Sequence, residues 1–276
     1  MTMDNQYFEV LNTAIEDIVE SNGDQLITRD PAQSQQKQND QIMDMLSMGV
    51  DLIFINPVDW KTITPALLAC HEKNVPVINV DTEVYQDEYT ASVILSDNYG
   101  AGVQIGKDVI AKRKNVRIVI MYDKGINSTD QRTKGFLDTI QNSQLHYQIV
   151  YTVTGTSMLQ QSMIEMQKFL ETGIPFDVVF GGNDPSALGA LAAIQKNHLN
   201  RSILIYGIDG SPSGKSMVQQ GYMEGTSAQF PQVMGKKAAE TAYDYLADKK
   251  ISRRIIIPVK LITRQNLDPF DTLGWQ

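Results

Sequence analysis

Cysteine is nearly absent. Cys70 is the only one in 276 residues, so no internal disulfide can form, and no metal-ligand cluster surrounds it. It lies in the apolar helical pattern Ala66-Leu67-Leu68-Ala69-Cys70 and reads as a small buried hydrophobe. Histidine is scarce too. His71, His146 and His198 stand apart from any serine or carboxylate motif, which removes the usual general base of a hydrolase. There is no basic surplus: 24 Lys and Arg face 32 Asp and Glu, for a net charge of −8. A phosphate-binding surface needs a basic stripe, so nucleic acid is not an expected partner. The short clusters Lys112-Arg113-Lys114 and Arg253-Arg254 read as solvated helix or strand ends. No apolar run is long enough to cross a bilayer. No basic and apolar export segment opens the chain, so it reads as cytoplasmic, or as a mature or truncated form of an exported protein.

What is present is a core. Apolar residues make up 42% and charged residues 20%, which excludes a disordered chain and leaves room for one or two domains. Short runs rich in Val and Ile recur, among them Leu52–Ile55, Val77–Val80, Val116–Ile120, Val178–Phe180 and Ile203–Tyr206. Such runs suit strands buried on both faces. Helical stripes lie between them: Phe8, Leu11, Ile15, Ile18 and Val19; Ile42, Leu46 and Val50; Met163, Met166, Phe169 and Leu170. The methionines read as core packing. Alternating strands and helices imply an α/β protein with parallel sheets. About five βα units fall on each side of Asn98, which predicts two doubly wound lobes.

In such sheets ligands bind beyond the carboxyl ends of the strands. The residues there are polar: Asn5 after the short opening run Met1–Met3, Asn56-Pro57, Asp81-Thr82, Ser96-Asp97-Asn98, Gly182-Asn183-Asp184, Asp209-Gly210 and Gln229. Each has a plainer explanation as a cap or turn, and Asp97-Asn98 and Asp184-Pro185 fit helix N-termini well. As a set, Asn5, Asp81, Asn183, Asp209 and Gln229 with Arg132 form acceptors, amides and one fork of donors. That inventory suits a polyhydroxylated ligand. Tyr7 offers a face for the apolar side of a sugar ring. Phe8 divides between that role and the helix core.

These motifs, in this order, resemble the periplasmic sugar-binding proteins of the ribose-binding type, which are related to lactose-repressor-like ligand cores. The resemblance runs through Asn5-Gln6-Tyr7-Phe8, Ile55-Asn56-Pro57, Val75–Asp81, Ser96-Asp97-Asn98, Arg132–Phe136, Asn183–Gly189, Gly207–Gly210 and Ala228-Gln229. It implies the type I periplasmic binding protein fold, with two lobes joined by a three-segment hinge. The expected lobes are 1–97 with 230–258, and 98–229 with 259–276. It implies ligand contacts from Asn5, Tyr7, Phe8, Asp81, Thr82, Arg132, Asn183, Asp209 and Gln229, with no catalytic residue, metal or cofactor. It implies a monomer that closes on a sugar and docks on the membrane permease of an ABC transporter, outside the cell membrane. Two departures argue against ribose itself: Thr82 stands where ribose binders carry arginine, and an aromatic is missing near Ser157–Met158. The opening run is also shorter than a strand plus turn, which implies residues lost upstream.

Rival readings are fewer than the fold allows. Gly210-Ser211-Pro212-Ser213-Gly214-Lys215-Ser216 imitates a phosphate loop but has three residues between its glycines instead of four. Asp81 and Asp209 would give a glycosidase its acid pair, yet the surrounding amides favour binding. A lactose-repressor-like regulator core and an extracellular sugar sensor share the same expected pocket and remain the alternatives.

Overall fold

The computed structural model describes residues 3–199, 202–270 and 272–276. In chain order its elements are α1 (Gln6–Ser21), α2 (Gln35–Met48), β1 (Ile53–Ile55), α3 (Thr64–Glu72), β2 (Val77–Val80) and β3 (Ser92–Ser96). Then come α4 (Asn98–Lys112), β4 (Asn115–Tyr122), α5 (Asn127–Gln141), β5 (His146–Thr154), α6 (Leu159–Glu171), β6 (Val178–Gly181) and α7 (Asp184–Lys196). The chain ends with β7 (Leu204–Asp209), α8 (Pro212–Gln219), β8 (Gly225–Ala228), α9 (Pro231–Leu246), β9 (Arg254–Ile257) and β10 (Lys260–Thr263). Two units divide it: Met1–Ser96 with Phe230–Ile257 and Gln276, and Asp97–Gln229 with Pro258–Trp275.

The first unit carries a parallel sheet in the order β1-β2-β3-β9. Every residue of β2 and β3 is buried, as expected for strands covered on both faces. Helix α1 begins where Asn5 Oδ1 accepts the Tyr7 N–H at 3.0 Å, satisfying one of the free amides of the first turn. Its apolar stripe of Tyr7, Leu11, Ala14, Ile15 and Val19 is buried and packs on α9.

This unit has fewer strands than the sequence pattern predicts. Among the described residues, β1, β2 and β3 precede Asn98, and β9 arrives from the returning chain. Met3 lies in a turn, and Met1 and Thr2 of the opening run fall outside the described residues. The stretch Gln25-Leu26-Ile27-Thr28 has strand-like composition but joins no sheet. An extended segment is stable as a strand only beside a partner that completes its backbone hydrogen bonds, and Gln25–Thr28 finds none. The outer edge of β1 instead borders an apolar groove of about 730 Å³ lined by Phe8, Leu11, Leu26, Ile42, Ile53 and Val80, among others.

The second unit is fuller. Its sheet runs β10-β8-β7-β6-β4-β5 and is parallel except for β10, which pairs antiparallel with β8. That edge strand corrects the expectation of a purely parallel sheet: Pro258–Lys260 brings the returning chain in from the opposite direction. Alternation along the strands fills two cores. Ile118 and Ile120, Val178 and Phe180, and Tyr206 and Ile208 join one, with Phe136 of α5. Val119, Met121, Val179 and Ile205 join the other, with Met166 and Phe169 of α6. Phe136 stacks on Phe180 with ring centroids 4.5 Å apart, worth about 0.5–1.5 kcal/mol beyond area burial. Helices α4 and α5 approach until backbones touch. A Cβ on Gly102 would stand 1.9 Å from the Arg132 carbonyl oxygen, and one on Gly135 would stand 2.0 Å from that of Tyr99. Only glycine permits this crossing, and the crossing fixes where Arg132 stands.

Candidate functional site

The parallel order β6-β7-β8 brings three sequence-predicted residues to one carboxyl edge of the second unit: Asn183, Asp209 and Gln229. Gln229 donates through its backbone N–H to the Asp209 carbonyl at 2.9 Å and through Nε2 to Asp209 Oδ1 at 2.8 Å. Arg132 joins them from α5. Its Nε donates to Asn98 Oδ1 at 2.7 Å, one terminal nitrogen donates to the Gly182 carbonyl at 3.0 Å, and the same nitrogen lies 3.6 Å from Asp209 Oδ1. Arg132, Asp209 and Gln229 are all buried. Burial pushes the Asp209 carboxyl up to about 7, a rise that Arg132 opposes and Asp184 reinforces. Asp209 also has φ 144°, a backbone conformation rare for any residue other than glycine and the kind of strain that clusters at ligand sites.

Asn183 is placed at the same edge but is largely committed. Its Oδ1 accepts from the Ser186 backbone N–H at 2.9 Å and hydroxyl at 2.6 Å, and its Nδ2 donates to the Ser157 carbonyl at 3.1 Å. It, and not Asp184, is the cap of α7. The sequence expectation that Asp184 caps this helix is therefore corrected: Asp184 is the first helical residue, and its carboxylate turns inward, fully buried. Asp97 does cap α4, through Oδ1 and the Gly100 N–H at 2.8 Å.

In the first unit, Asp81 ends the fully buried β2 with φ 65° and is 7% exposed. Its N–H bonds the Ile94 carbonyl at 2.9 Å, and Thr82 donates its hydroxyl to Asp81 Oδ2 at 3.2 Å. Neighbouring Asn79 fixes this turn by donating to the carbonyls of Ile55 and Thr82. Asn5 is occupied as the α1 cap. Tyr7 is 4% exposed, lies edge-on to Phe8 with centroids 5.2 Å apart and directs its hydroxyl at Met234 Sδ. This corrects the expectation of an open Tyr7 face; the α1–α9 contact claims that ring. Phe8 is half-buried and lines the groove beside β1.

The candidate set omitted Asn56, although the strand-end rule points to it directly. It follows β1, and both polar atoms of its side-chain amide are shielded from solvent without a hydrogen-bond partner. A buried amide left so costs about 1–3 kcal/mol. Asn98, the acceptor for Arg132 Nε, was likewise visible only as a possible cap.

The motif that imitates a phosphate loop forms a turn and a helix. Ser211 caps α8 through the Gly214 N–H at 3.0 Å, and buried Lys215 donates to the Gly274 carbonyl at 2.7 Å. Among the described residues no group of His, Cys, Asp or Glu has a metal-holding arrangement, and no helix is long and apolar enough to cross a membrane.

Comparison with known proteins agrees with this fold. The ribose import binding protein of Bacillus subtilis is 29% identical over 266 residues, covering 96% of this chain and 85% of that protein. The periplasmic binding protein component of an arabinose ABC transporter from Shewanella, solved with L-arabinofuranose, superposes with a TM-score of 0.90 at 25% identity, over 97% of this chain and 91% of that one. The myo-inositol binding protein of Caulobacter superposes with a TM-score of 0.91 at 24% identity, over 99% and 94%. The family model described as the periplasmic binding protein domain matches residues 1–250. The chain belongs to the periplasmic binding protein family.

Proposed function

We propose that this protein is the solute-binding component of an ABC-type sugar importer, closing its two units as lobes on one monosaccharide or similar polyol. The observation that carries the reading is the buried Arg132–Asp209–Gln229 group. It offers a guanidinium fork, a carboxylate and an amide at one strand edge, and adjacent sugar hydroxyls both donate and accept. Asp81 and Asn56 would supply the first unit's share. Ligand contacts made only in the closed form would stabilise that form by their differential affinity. Thr82 is a short side chain already turned onto Asp81, which favours a sugar other than ribose. The relatives it matches are import binding proteins, which supports a role in binding without catalysis. The protein would act as a monomer outside the cell membrane and hand its ligand to a membrane permease.

Titration calorimetry of the purified protein against pentoses, hexoses, furanoses and inositols tests this. Saturable heat with one class supports it; an absence of heat across the whole panel would sink it.

A further inference from the structure

We propose that Asp184 is the positioning residue for Asp209, fixing where that carboxylate stands at the end of β7. The inference deepens the sugar-binding reading and rests on it. Asp184 is wholly enclosed. Its Oδ1 accepts from the Thr226 hydroxyl at 2.6 Å. Its Oδ2 accepts from the Ser211 backbone N–H at 2.8 Å and the Ser211 hydroxyl at 2.7 Å. One carboxylate thus ties α7 to β8 and to the turn that follows Asp209. Thr226 Oγ1 in turn accepts the Gly210 N–H at 3.0 Å, so both residues after Asp209 are tethered through Asp184. The direct link is the Asp184 N–H, which donates to Asp209 Oδ2 at 3.3 Å.

The chain has made room for this clamp. A Cβ on Gly207 would stand 2.2 Å from Asp184 Oδ1, and one on Gly214 would stand 2.3 Å from Oδ2. Held this tightly, Asp209 can keep its strained φ of 144°.

Charge follows from the same geometry. The charged groups facing Asp209 are Arg132 from α5 and Asp184 from α7, with neutral Gln229 beside them. Two buried carboxylates share one guanidinium. Burial pushes the Asp184 carboxyl up, a rise that the bonds from Thr226 and Ser211 and the nearby Arg132 oppose. Burial pushes the Asp209 carboxyl up as well, and a protonated carboxyl is a weaker acceptor for sugar hydroxyls.

Two kinds of variant test the clamp. Asp184→Asn can retain the tie, because the Thr226 hydroxyl can reverse its bond. Ser211→Ala with Thr226→Val loosens the tie. The first readout needs no ligand: the carboxyl-carbon NMR resonance of Asp209, which the double variant should displace and Asp184→Asn should leave closer to that of the wild type. The second readout is calorimetric affinity for the sugar found in the panel. The double variant should bind about tenfold more weakly or worse, and Asp184→Asn should bind more tightly than the double variant. An undisplaced Asp209 resonance in the folded double variant overturns the proposal, as does unchanged affinity. Should Asp184→Asn fail to fold, the double variant decides alone. If no sugar binds the wild type, the sugar-binding reading fails while the NMR result still judges Asp184.

Discussion

The two units differ at their strand ends. In the second, Arg132, Asp209, Gln229 and Asp184 are tied to one another, and Asn183 is bonded to Ser186 and Ser157. In the first, Asn56 holds a shielded amide with no partner, and Asp81 accepts the Thr82 hydroxyl. The frame differs likewise. The second sheet is built from six strands, whereas β1 in the first is three residues long and borders an open apolar groove. In the proposed binding, buried groups already bonded to one another would select the hydroxyl pattern, because they cannot relax freely to suit a wrong one.

Removing the centre of the second cluster should therefore cost the most. Arg132→Ala strips two buried carboxylates of their cation and should destabilise the protein by about 3–5 kcal/mol in urea unfolding. Asp81→Asn in the first unit should cost less than Arg132→Ala, since Asn keeps the side chain's shape and tolerates the left-handed backbone that φ 65° requires. Equal losses from the two would erase the contrast.

Proton linkage gives the next effect. Burial raises Asp209 from its ordinary 3.8 to about 7, so the folded state binds this proton more tightly than the unfolded one. Its contribution to stability is full below the ordinary value and is lost as pH rises through about 7. Unfolding free energy of the wild type should thus fall faster than that of Asp209→Asn as pH rises from about 4 to 7, by at most about 1.4 kcal/mol per pH unit. Parallel curves would show that Asp209 carries no such shift.

Local opening should report the same asymmetry more gently. Backbone amides of β1 should exchange with solvent faster than those of β6 and β7, which lie inside the six-stranded sheet. Cys70 supplies a chemical probe on α3. It is fully buried and its thiol is pushed up to about 11, so a thiol reagent should modify it only as fast as the first unit opens. Prompt modification of the native protein would contradict its burial.

Much of this was legible in the sequence, because two-faced burial writes itself as Val- and Ile-rich runs. β2, β4, β6 and β7 stand where those runs predicted, and Asp81, Asp209 and Gln229 stand at the strand ends that followed. Partnership was not legible. Gln25–Thr28 has strand composition and no strand beside it, and β10 reversed direction because the returning chain dictates it. Tyr7 and Asn5 matched a ligand motif, but α9 and the first turn of α1 use them locally. Asp184 looked like a helix cap because a sequence cannot show which way a carboxylate turns; only Gly207 and Gly214, far apart in the chain, reveal the space left for it.

The central claim is that both units contribute to one sugar, and paired calorimetry tests it most directly. With the sugar that binds the wild type, Asp81→Ala in one unit and Asp209→Ala in the other should each lower affinity about 100-fold or more while the protein stays folded. If one of these folded variants binds that sugar as tightly as the wild type, the ligand is not shared between the units.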